Sequence, residues 1–508
     1  MAVKLKVVRT ASGIRNVFAR MPFRFGVITM RAAPLLTLAV EIEDSAGRRA
    51  TGYAADLLAY RWFDKRPQKS LADNCRDLLA SVDEARELYL EAGEEGCDTP
   101  FALWRTTLPE IERRALARDF NRLGASFGAS MLERGVIDAL GRLSGQSFAA
   151  LVRDGLGIDL GSLSEELRGR EIGAFLPEQP LERLHVRHTV GLLDPITAAD
   201  RRAAVDDGLP ETLEDYLERD GISYLKIKVA GRLDEDIARL EAIAAVLGRR
   251  ERAFHISLDG NEQYQHPDDF LALIDRIKAT PGLQRLYAQV MFIEQPLDRA
   301  IALDPAVRPA LAVLSRDKPV IIDEADGWLT AFREAIDLGY RGTSHKNCKG
   351  VYKSLHNMAL ARLRNERAGW PELFLSAEDL SNVPVVALQA DLAAVALLGI
   401  THVERNGHHY FRGLGHLGAA EKADALARHP DLYERRGDEV FLKITDGVLE
   451  CASLQVPGMG FAALPDMASL TPTSGTSQAW AWRERKHLDP CPDSGANPVS
   501  LRSIRIGL

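Results

Sequence analysis

Apolar and polar positions alternate over residues 36–43, with Leu36, Leu38, Val40 and Ile42 on one side and Thr37, Ala39, Glu41 and Glu43 on the other. A period of 2 predicts a strand with one buried face. Asp44-Ser45-Ala46-Gly47 supplies turn chemistry and Ala50–Ala54 a returning strand, so residues 3–60 read as an antiparallel sheet. Between its first two strands, Met21-Pro22-Phe23-Arg24-Phe25-Gly26 reads as an aromatic, cationic loop, either a hydrophobic anchor or a lid element. From residue 68 to residue 180 the apolar spacing becomes helical. Leu71, Leu78, Leu79 and Val82 are followed by Ile111, Leu116 and Phe120, and then by Leu132, Val136, Leu140 and Leu143. Gly155, Gly157 and Gly161 mark turns, and helical packing accounts for this whole stretch.

From 185 to 410 strands and helices alternate regularly. The predicted strands are 185–193, 224–229, 255–260, 290–295, 319–324, 342–348, 373–378 and 400–404. After Lys228, the residues Leu233, Ile237, Leu240, Ile243 and Leu247 share one helical face, and Pro267 opens the next helix from a first-turn position. Eight strands alternating with helices predict a closed β/α barrel. A doubly wound open sheet would want a glycine-rich phosphate-binding turn after an early strand, and none is present. Past 410 the character is mixed. Gly413-Leu414-Gly415 lacks the strand–helix context of a phosphate loop, Asp446-Gly447 is a turn, and Val456–Gly460 reads as a rigid loop. Beyond 468 the composition predicts a poorly ordered or surface-wrapping tail.

Length and composition narrow the function. The chain has 508 residues, enough for two or more domains. Its net charge of -8 argues against a nucleic-acid partner bound through phosphate neutralisation. The five cysteines have no CxxC spacing, which disfavours zinc or a disulfide framework and fits a reducing, cytoplasmic setting. No apolar run reaches the roughly 18 residues of a membrane span, so no membrane partner is expected.

The chemistry is concentrated at strand ends. Asp259, Glu294 and Asp323 each close a short apolar run, on three successive predicted strands. Lys226 and Lys228 share the inward face of the strand before them, and Lys346 closes the strand after them. In a β/α barrel all these ends meet at one mouth. One acidic residue at a strand end is ordinarily a helix cap or an ion-pair partner; the whole set, at consecutive ends, points to a site. Three carboxylates suit a hard divalent cation with open positions, Mg²⁺ best and Mn²⁺ as the alternative. A buried lysine beside such a cation is expected to have a lowered pKa, as a general base requires. The cation would bind a substrate carboxylate and stabilise the charge that develops as its α-proton leaves.

At these residues the chain resembles the enolase superfamily, in the lysine-paired branch related to muconate cycloisomerases, dipeptide epimerases and mandelate-racemase-like proteins. The matching motifs are Lys226-Ile227-Lys228, Asp259-Gly260-Asn261, Glu294-Gln295-Pro296, Asp323-Glu324 and Lys346-Asn347-Cys348-Lys349-Gly350. Residues 22–26 and the Gly52-Tyr53-Ala54 turn look like the two capping loops of that family, and Val456–Gly460 like its C-terminal closure. The resemblance implies a (β/α)7β TIM-like barrel over 185–410. It implies an α+β capping domain over 1–184 with an extra helical insertion, completed by a C-terminal segment, 411–508, with an extended tail. Asp259, Glu294 and Asp323 would be the Mg²⁺ ligands, with Glu324 as an outer metal contact. Lys228, aided by Lys226, would serve one face of the α-carbon and Lys346 the other. Glu378 and Glu404 would orient substrate, with Asn261 and His345 as further contacts. The implied partner is a small-molecule carboxylate, and the implied assembly a symmetric homo-oligomer. The implied reaction is Mg²⁺-dependent α-proton abstraction giving an enolate: a racemase or epimerase first, a dehydratase or cycloisomerase second, with a non-catalytic metal-stabilised scaffold as a third reading. The chain departs from the family at Ser344-His345-Lys346, where an apolar residue commonly precedes the lysine, and at Glu404–His409. His408 and His409 there suit a second acid, an anion site or a surface loop.

Overall fold

The computed structural model describes residues 4–25, 28–368 and 372–473. The chain opens with an antiparallel sheet of β1 (Leu5–Phe25), β2 (Ile28–Asp44) and β3 (Arg49–Leu57), paired in that order. The segment expected as a loop at 21–26 is strand as far as Phe25, with the register shifting between Phe18 and Phe23. The reason is visible in its alternation: Met21 and Phe23 are buried, and Phe23 stacks on Tyr410 with ring centroids 4.2 Å apart.

Three helices, α1 (Leu71–Glu95), α2 (Pro100–Ala117) and α3 (Arg122–Ser144), cover this sheet. Each begins at a side-chain cap, from Ser70, Thr99 and Asn121 respectively, which satisfies otherwise orphaned first-turn amides. Gly52 lies inside β3, as the returning-strand reading of residues 50–54 expected and not in the capping turn that the resemblance implied. A Cβ there would sit 2.1 Å from the Ala139 amide nitrogen and 2.3 Å from the Gly135 carbonyl oxygen, both on α3. Small residues therefore let the helix lie directly on the sheet. Gly52→Ala is expected to destabilise the protein by about 1–3 kcal/mol through overpacking, read as a lower urea midpoint at unchanged slope.

After α4 (Phe148–Ala150) and several single turns the chain enters the barrel. Its strands are β4 (Arg183–Val190), β5 (Tyr224–Lys228), β6 (His255–Asp259), β7 (Val290–Glu294), β8 (Val320–Ile322), β9 (Gly342–His345), β10 (Phe374–Ala377) and β11 (His402–Glu404). They run parallel in the order β10-β9-β8-β7-β6-β5-β4-β11. A parallel bridge between Glu378 and Glu404 joins the two ends of that order and closes the ring. The crossovers carry α5 (Leu213–Arg219), α6 (Leu233–Gly248), α7 (Pro267–Ala279) with the short α8 (Gln284–Ala288), α9 (Arg308–Leu314), α10 (Ala331–Leu338), α11 (Val351–Ala368) and α12 (Val386–Leu398). Seven crossovers between eight strands make the predicted (β/α)7β barrel. Every residue of α12 is buried, because the helix lies between the barrel, β3 and the returning chain. That is why its sequence is apolar on nearly every side, Gln389 and Asp391 excepted.

The short α13 (Gly407–Tyr410) follows β11, and α14 (Ala419–Arg428), the hairpin β12 (Tyr433–Arg436) and β13 (Glu439–Leu442), and β14 (Val448–Glu450) complete the return. β14 pairs antiparallel with the start of β4. Residues 456–460 then dock on the cap. The Gly458 amide donates to Gln146 O at 3.0 Å, and Asp138 of α3 accepts from the amides of Met459 (2.8 Å) and Tyr53 (2.9 Å). β15 (Thr471–Pro472) adds to the edge of β1. The tail from 474 lies outside the described residues. No helix among the described residues is long and apolar enough to cross a membrane.

Candidate active site

Strand alternation turns Lys226 and Lys228 into the barrel, as their spacing predicted. Lys226 Nζ stands 3.0 Å from each of Asp259, Glu294 and Glu404, and also contacts Glu378. Lys228 Nζ donates to Asp259 Oδ2 at 2.6 Å. From the other side, Lys346 Nζ donates to Asp323 Oδ1 at 2.8 Å and also to Glu378. β5 and β9 are four places apart in the ring of eight, so Lys228 and Lys346 enter the mouth from opposite walls.

All of these groups are buried. Burial alone would lower the pKa of Lys226, but Asp259, Glu294, Glu378 and Glu404 outweigh it and hold the ammonium well above the usual lysine value. Lys346 behaves likewise: Asp323 and Glu378 reverse the effect of burial. The protein's own groups thus raise Lys226 and Lys346, because carboxylates outnumber ammonium groups here; the lowering expected from the sequence is that of a lysine beside a bound cation. Burial opposes ionisation of Glu378, yet Lys226 and Lys346 keep its pKa well below normal. Glu294 goes the other way, pushed well up by burial and by neighbouring Glu378.

The donor set fits a divalent cation. Oxygens of Glu294, Asp323 and Glu378 lie within 4.8 Å of one another, all buried. Neither oxygen of Glu294 accepts a well-aligned hydrogen bond from the protein, although both are buried and Lys226 Nζ stands 3.0 Å from one of them. An all-oxygen set with a carboxylate that lacks a well-aligned donor suits Mg²⁺ or Mn²⁺ and not zinc. The structure therefore brings together two of the three expected ligands and adds Glu378. Asp259 stands beside them, held by Lys226 and Lys228, and its Oδ1 accepts the Asn261 amide at 2.7 Å.

The remaining expected residues divide. Glu404 reaches the centre and accepts from Thr189 as well as Lys226. Asn261 and Glu324 belong to a neighbouring network. Asn261 Nδ2 donates to Glu324 Oε1 at 3.4 Å, and Lys65 Nζ of the cap lies 3.9 Å from that oxygen. Burial, with Asp323 and Glu262 nearby, pushes the Glu324 carboxyl up to about 8. His345 points out of the barrel, its Nδ1 2.7 Å from Ser354 Oγ on α11, so it does not join the centre. His408 and His409 lie in α13, packed against His188 and Tyr216 outside the barrel wall.

Several working groups were not anticipated. Gln295 Oε1 accepts the amides of Asp323 (2.8 Å) and Ala325 (3.2 Å) and fixes the end of β8. Lys349, one turn past Lys346, donates to Asp323 Oδ1 and Ser344 O, each at 2.8 Å. The three-residue spacing within Lys346–Lys349 is the signal that could have found it. Residues 58–66 of the cap, and not Gly52–Ala54, form the loop over this side of the mouth. Trp62 covers Lys346 with 5.3 Å from Nζ to the ring centroid, and Arg299 of the barrel donates to Trp62 O (2.8 Å) and Phe63 O (3.0 Å). Asn261, Glu262 and Gln295 all have positive φ, so the loops after β6 and β7 hold the backbone strain that clusters at functional sites.

Residues 208–404 match the family model described as enolase C-terminal domain-like. No curated protein matches the sequence. Among solved structures the chain is similar to a mandelate racemase/muconate lactonizing protein from Herpetosiphon aurantiacus, with 17% identity over 90% of this chain and 98% of the other and a TM-score of 0.56. It is similar to the L-Ala-D/L-Glu epimerase from Bacillus subtilis in a substrate-liganded complex, with 17% identity over 90% and 99% and a TM-score of 0.55. An enolase from Bradyrhizobium complexed with magnesium and mandelic acid gives 16% identity over 91% and 97% and a TM-score of 0.54.

Proposed function

We propose that this chain, whose residues 208–404 match the enolase C-terminal domain-like family model, is an enolase-superfamily enzyme that removes the proton α to a carboxylate and returns one to the same carbon. The observation that carries the reading is the pair Lys228 and Lys346, entering one buried acidic mouth from opposite walls. Lys228 would exchange a proton with one face of the α-carbon and Lys346 with the other. Glu294, Asp323 and Glu378 would hold Mg²⁺, with Asp259 beside them. When bound, the cation offsets the charge that builds on the substrate carboxylate. Gln295 and Lys349 keep Asp323 in place, and Trp62 with residues 58–66 excludes water above Lys346. Two lysines on opposite walls suit racemisation or epimerisation of a small carboxylate ahead of elimination or cycloisomerisation.

The test is Mg²⁺-dependent uptake of solvent deuterium at an α-carbon, scanned by mass over a library of carboxylic acids and N-acylated amino acids. Uptake without loss of optical-isomer balance, or with loss of water or ring closure, would move the reading to the lyase class. No uptake across the library, with Mg²⁺ still bound, would leave only the scaffold reading. The cation's place has its own check. Glu294→Gln is expected to weaken Mg²⁺ binding by more than the roughly 10–100-fold typical of losing a group that only orients a ligand. It is also expected to leave the metal-free protein about as stable as wild type, since burial and Glu378 already push the Glu294 carboxyl well up and the amide replaces a group that resists ionisation there. Calorimetric titration and thermal unfolding with and without Mg²⁺ read the two effects separately.

A further inference from the structure

We propose a second metal site, outside the barrel wall, in which His188, His408 and His409 bind one zinc-type divalent cation that ties the last barrel strand to the first. One ligand nitrogen from each of the three rings lies within 4.8 Å of the others. His188 is on β4 and the other two are on α13, directly after β11, and β4 and β11 are the first and last strands of the ring. Thr189 faces inward to Glu404, so its neighbour His188 faces outward, against Tyr216 of α5. The strand itself separates this cluster from the acidic mouth.

Two observations point to a ligand here. Both ring nitrogens of His409 are buried and have no hydrogen-bond partner, in a residue only 2% exposed. A packed structural histidine would be expected to satisfy at least one of them. The second concerns tautomers. His408 Nδ1 contacts the Arg405 carbonyl, which can only accept, so Nδ1 carries the proton and Nε2 offers its lone pair to the cluster. Metal-bound imidazoles are oriented in just this way by a carbonyl on the remote nitrogen. That lone pair faces His188 Nδ1 at 3.0 Å, close to the roughly 3.3 Å between two nitrogens bound to one tetrahedral zinc. The cation takes the place of the proton shared there, which His188 then carries on its other nitrogen.

The surroundings allow the charge. Burial and the neighbouring histidines lower the pKa of His188, and burial brings His408 down to about 4, so the rings are neutral and available. Asp194 Oδ2 lies 3.8 Å from His409 Nε2, held by Tyr410 Oη at 2.7 Å and the Gly191 amide at 2.8 Å, and Asp220 acts on His408 from the other side. Of the nearby arginines, Arg20 pairs with Asp207, Arg219 with Asp220 and Arg405 with Asp379, while Arg239 donates to the backbone carbonyls of Gly191 and Asp194. His408 is half-buried and gives the cation a path in. Three imidazoles without a thiolate suit zinc and its late first-row neighbours, not Mg²⁺.

The experiment titrates the full-length, metal-free protein with Co²⁺ and then Zn²⁺ under excess Mg²⁺, following visible absorption and bound metal per chain. One Co²⁺ per chain with the intense bands of tetrahedral nitrogen ligation, displaced by Zn²⁺ and accompanied by a raised Tm, is the expected result. His409→Ala and, separately, His408→Gln are each expected to lose the bands and to bind zinc at least roughly a hundredfold more weakly, with Mg²⁺ binding unchanged. His408→Gln is included because its partly exposed side chain is the more tolerant position, and unchanged Tm without metal certifies the fold of either variant. Absence of the bands in the wild type, or equal zinc affinity in a folded variant, would overturn the proposal and leave a packed histidine cluster at the barrel seam.

Discussion

Lys346→Ala is expected to lower Mg²⁺-dependent deuterium exchange by about 10²–10⁴-fold for one optical isomer of the substrate, and Lys228→Ala to do so for the other. The geometry dictates the split. The two ammonium groups approach from strands on opposite sides of the ring, so a planar intermediate between them meets one lysine on each face. Each lysine also neutralises carboxylates, Asp259 for Lys228 and Asp323 with Glu378 for Lys346. A variant could therefore fail by disturbing the acidic cluster, and Lys346→Met and Lys228→Met, which retain bulk, accompany the alanines, with Mg²⁺ affinity measured in all four. Loss of exchange for both isomers in a single variant that still binds Mg²⁺ would contradict the two-face assignment. It would assign proton removal to that lysine alone, as an elimination requires. Full exchange of both isomers in both variants would remove the lysines from the chemistry altogether.

What could be read from the sequence follows from the physics of periodicity. The barrel strands end in single acidic or basic residues after apolar lead-ins, and strand-end position alone gathers them at one mouth, so Lys226, Asp259, Glu294, Asp323, Lys346, Glu378 and Glu404 were all anticipated near the centre. Which carboxylates lie close enough together to share a cation was not legible, because Glu378 and Asp259 differ only in the distances that closure of the ring imposes. The same limit applies to His345, whose neighbour Lys346 faces in; alternation permits only one of the two to do so. The cap contributed least. Trp62 and Lys65 sit in a loop with no period, and their role arises from contacts with Arg299, Glu262 and Lys346 that are remote in sequence. His408 and His409 likewise needed His188, more than two hundred positions earlier, before they became a cluster.

The largest stability effect is expected at the seam between cap and barrel, in Arg134→Met, which should cost about 3–5 kcal/mol of a total that is ordinarily ~5–15 kcal/mol. Arg134 of α3 is fully buried. Its guanidinium donates to Ser130 O at 3.0 Å and Ala55 O at 3.3 Å, and pairs with the carboxylate of Asp56 at the end of β3. Asn382, in the loop after β10, donates to Asp56 Oδ1 at 2.7 Å and Asp391 Oδ2 at 2.8 Å, which brings an α12 carboxyl into the same buried network. Burial and the nearby Asp56 push the Asp391 carboxyl well up, so charge in this network is already scarce in compensation. Methionine fills the arginine's volume but leaves the buried Asp56 carboxylate without its counter-charge, with only the Asn382 amide to hold it, and an uncompensated buried charge is the costly half of a broken pair. The double variant Arg134→Met with Asp56→Asn removes that charge and should recover part of the loss, a coupling that a denaturant double-mutant cycle measures. A loss below about 1 kcal/mol in the single variant would mean that Asp56 is neutralised by another route. The network would then set only the register of cap on barrel, through Asn382 and the Leu57 amide that donates to it at 3.3 Å.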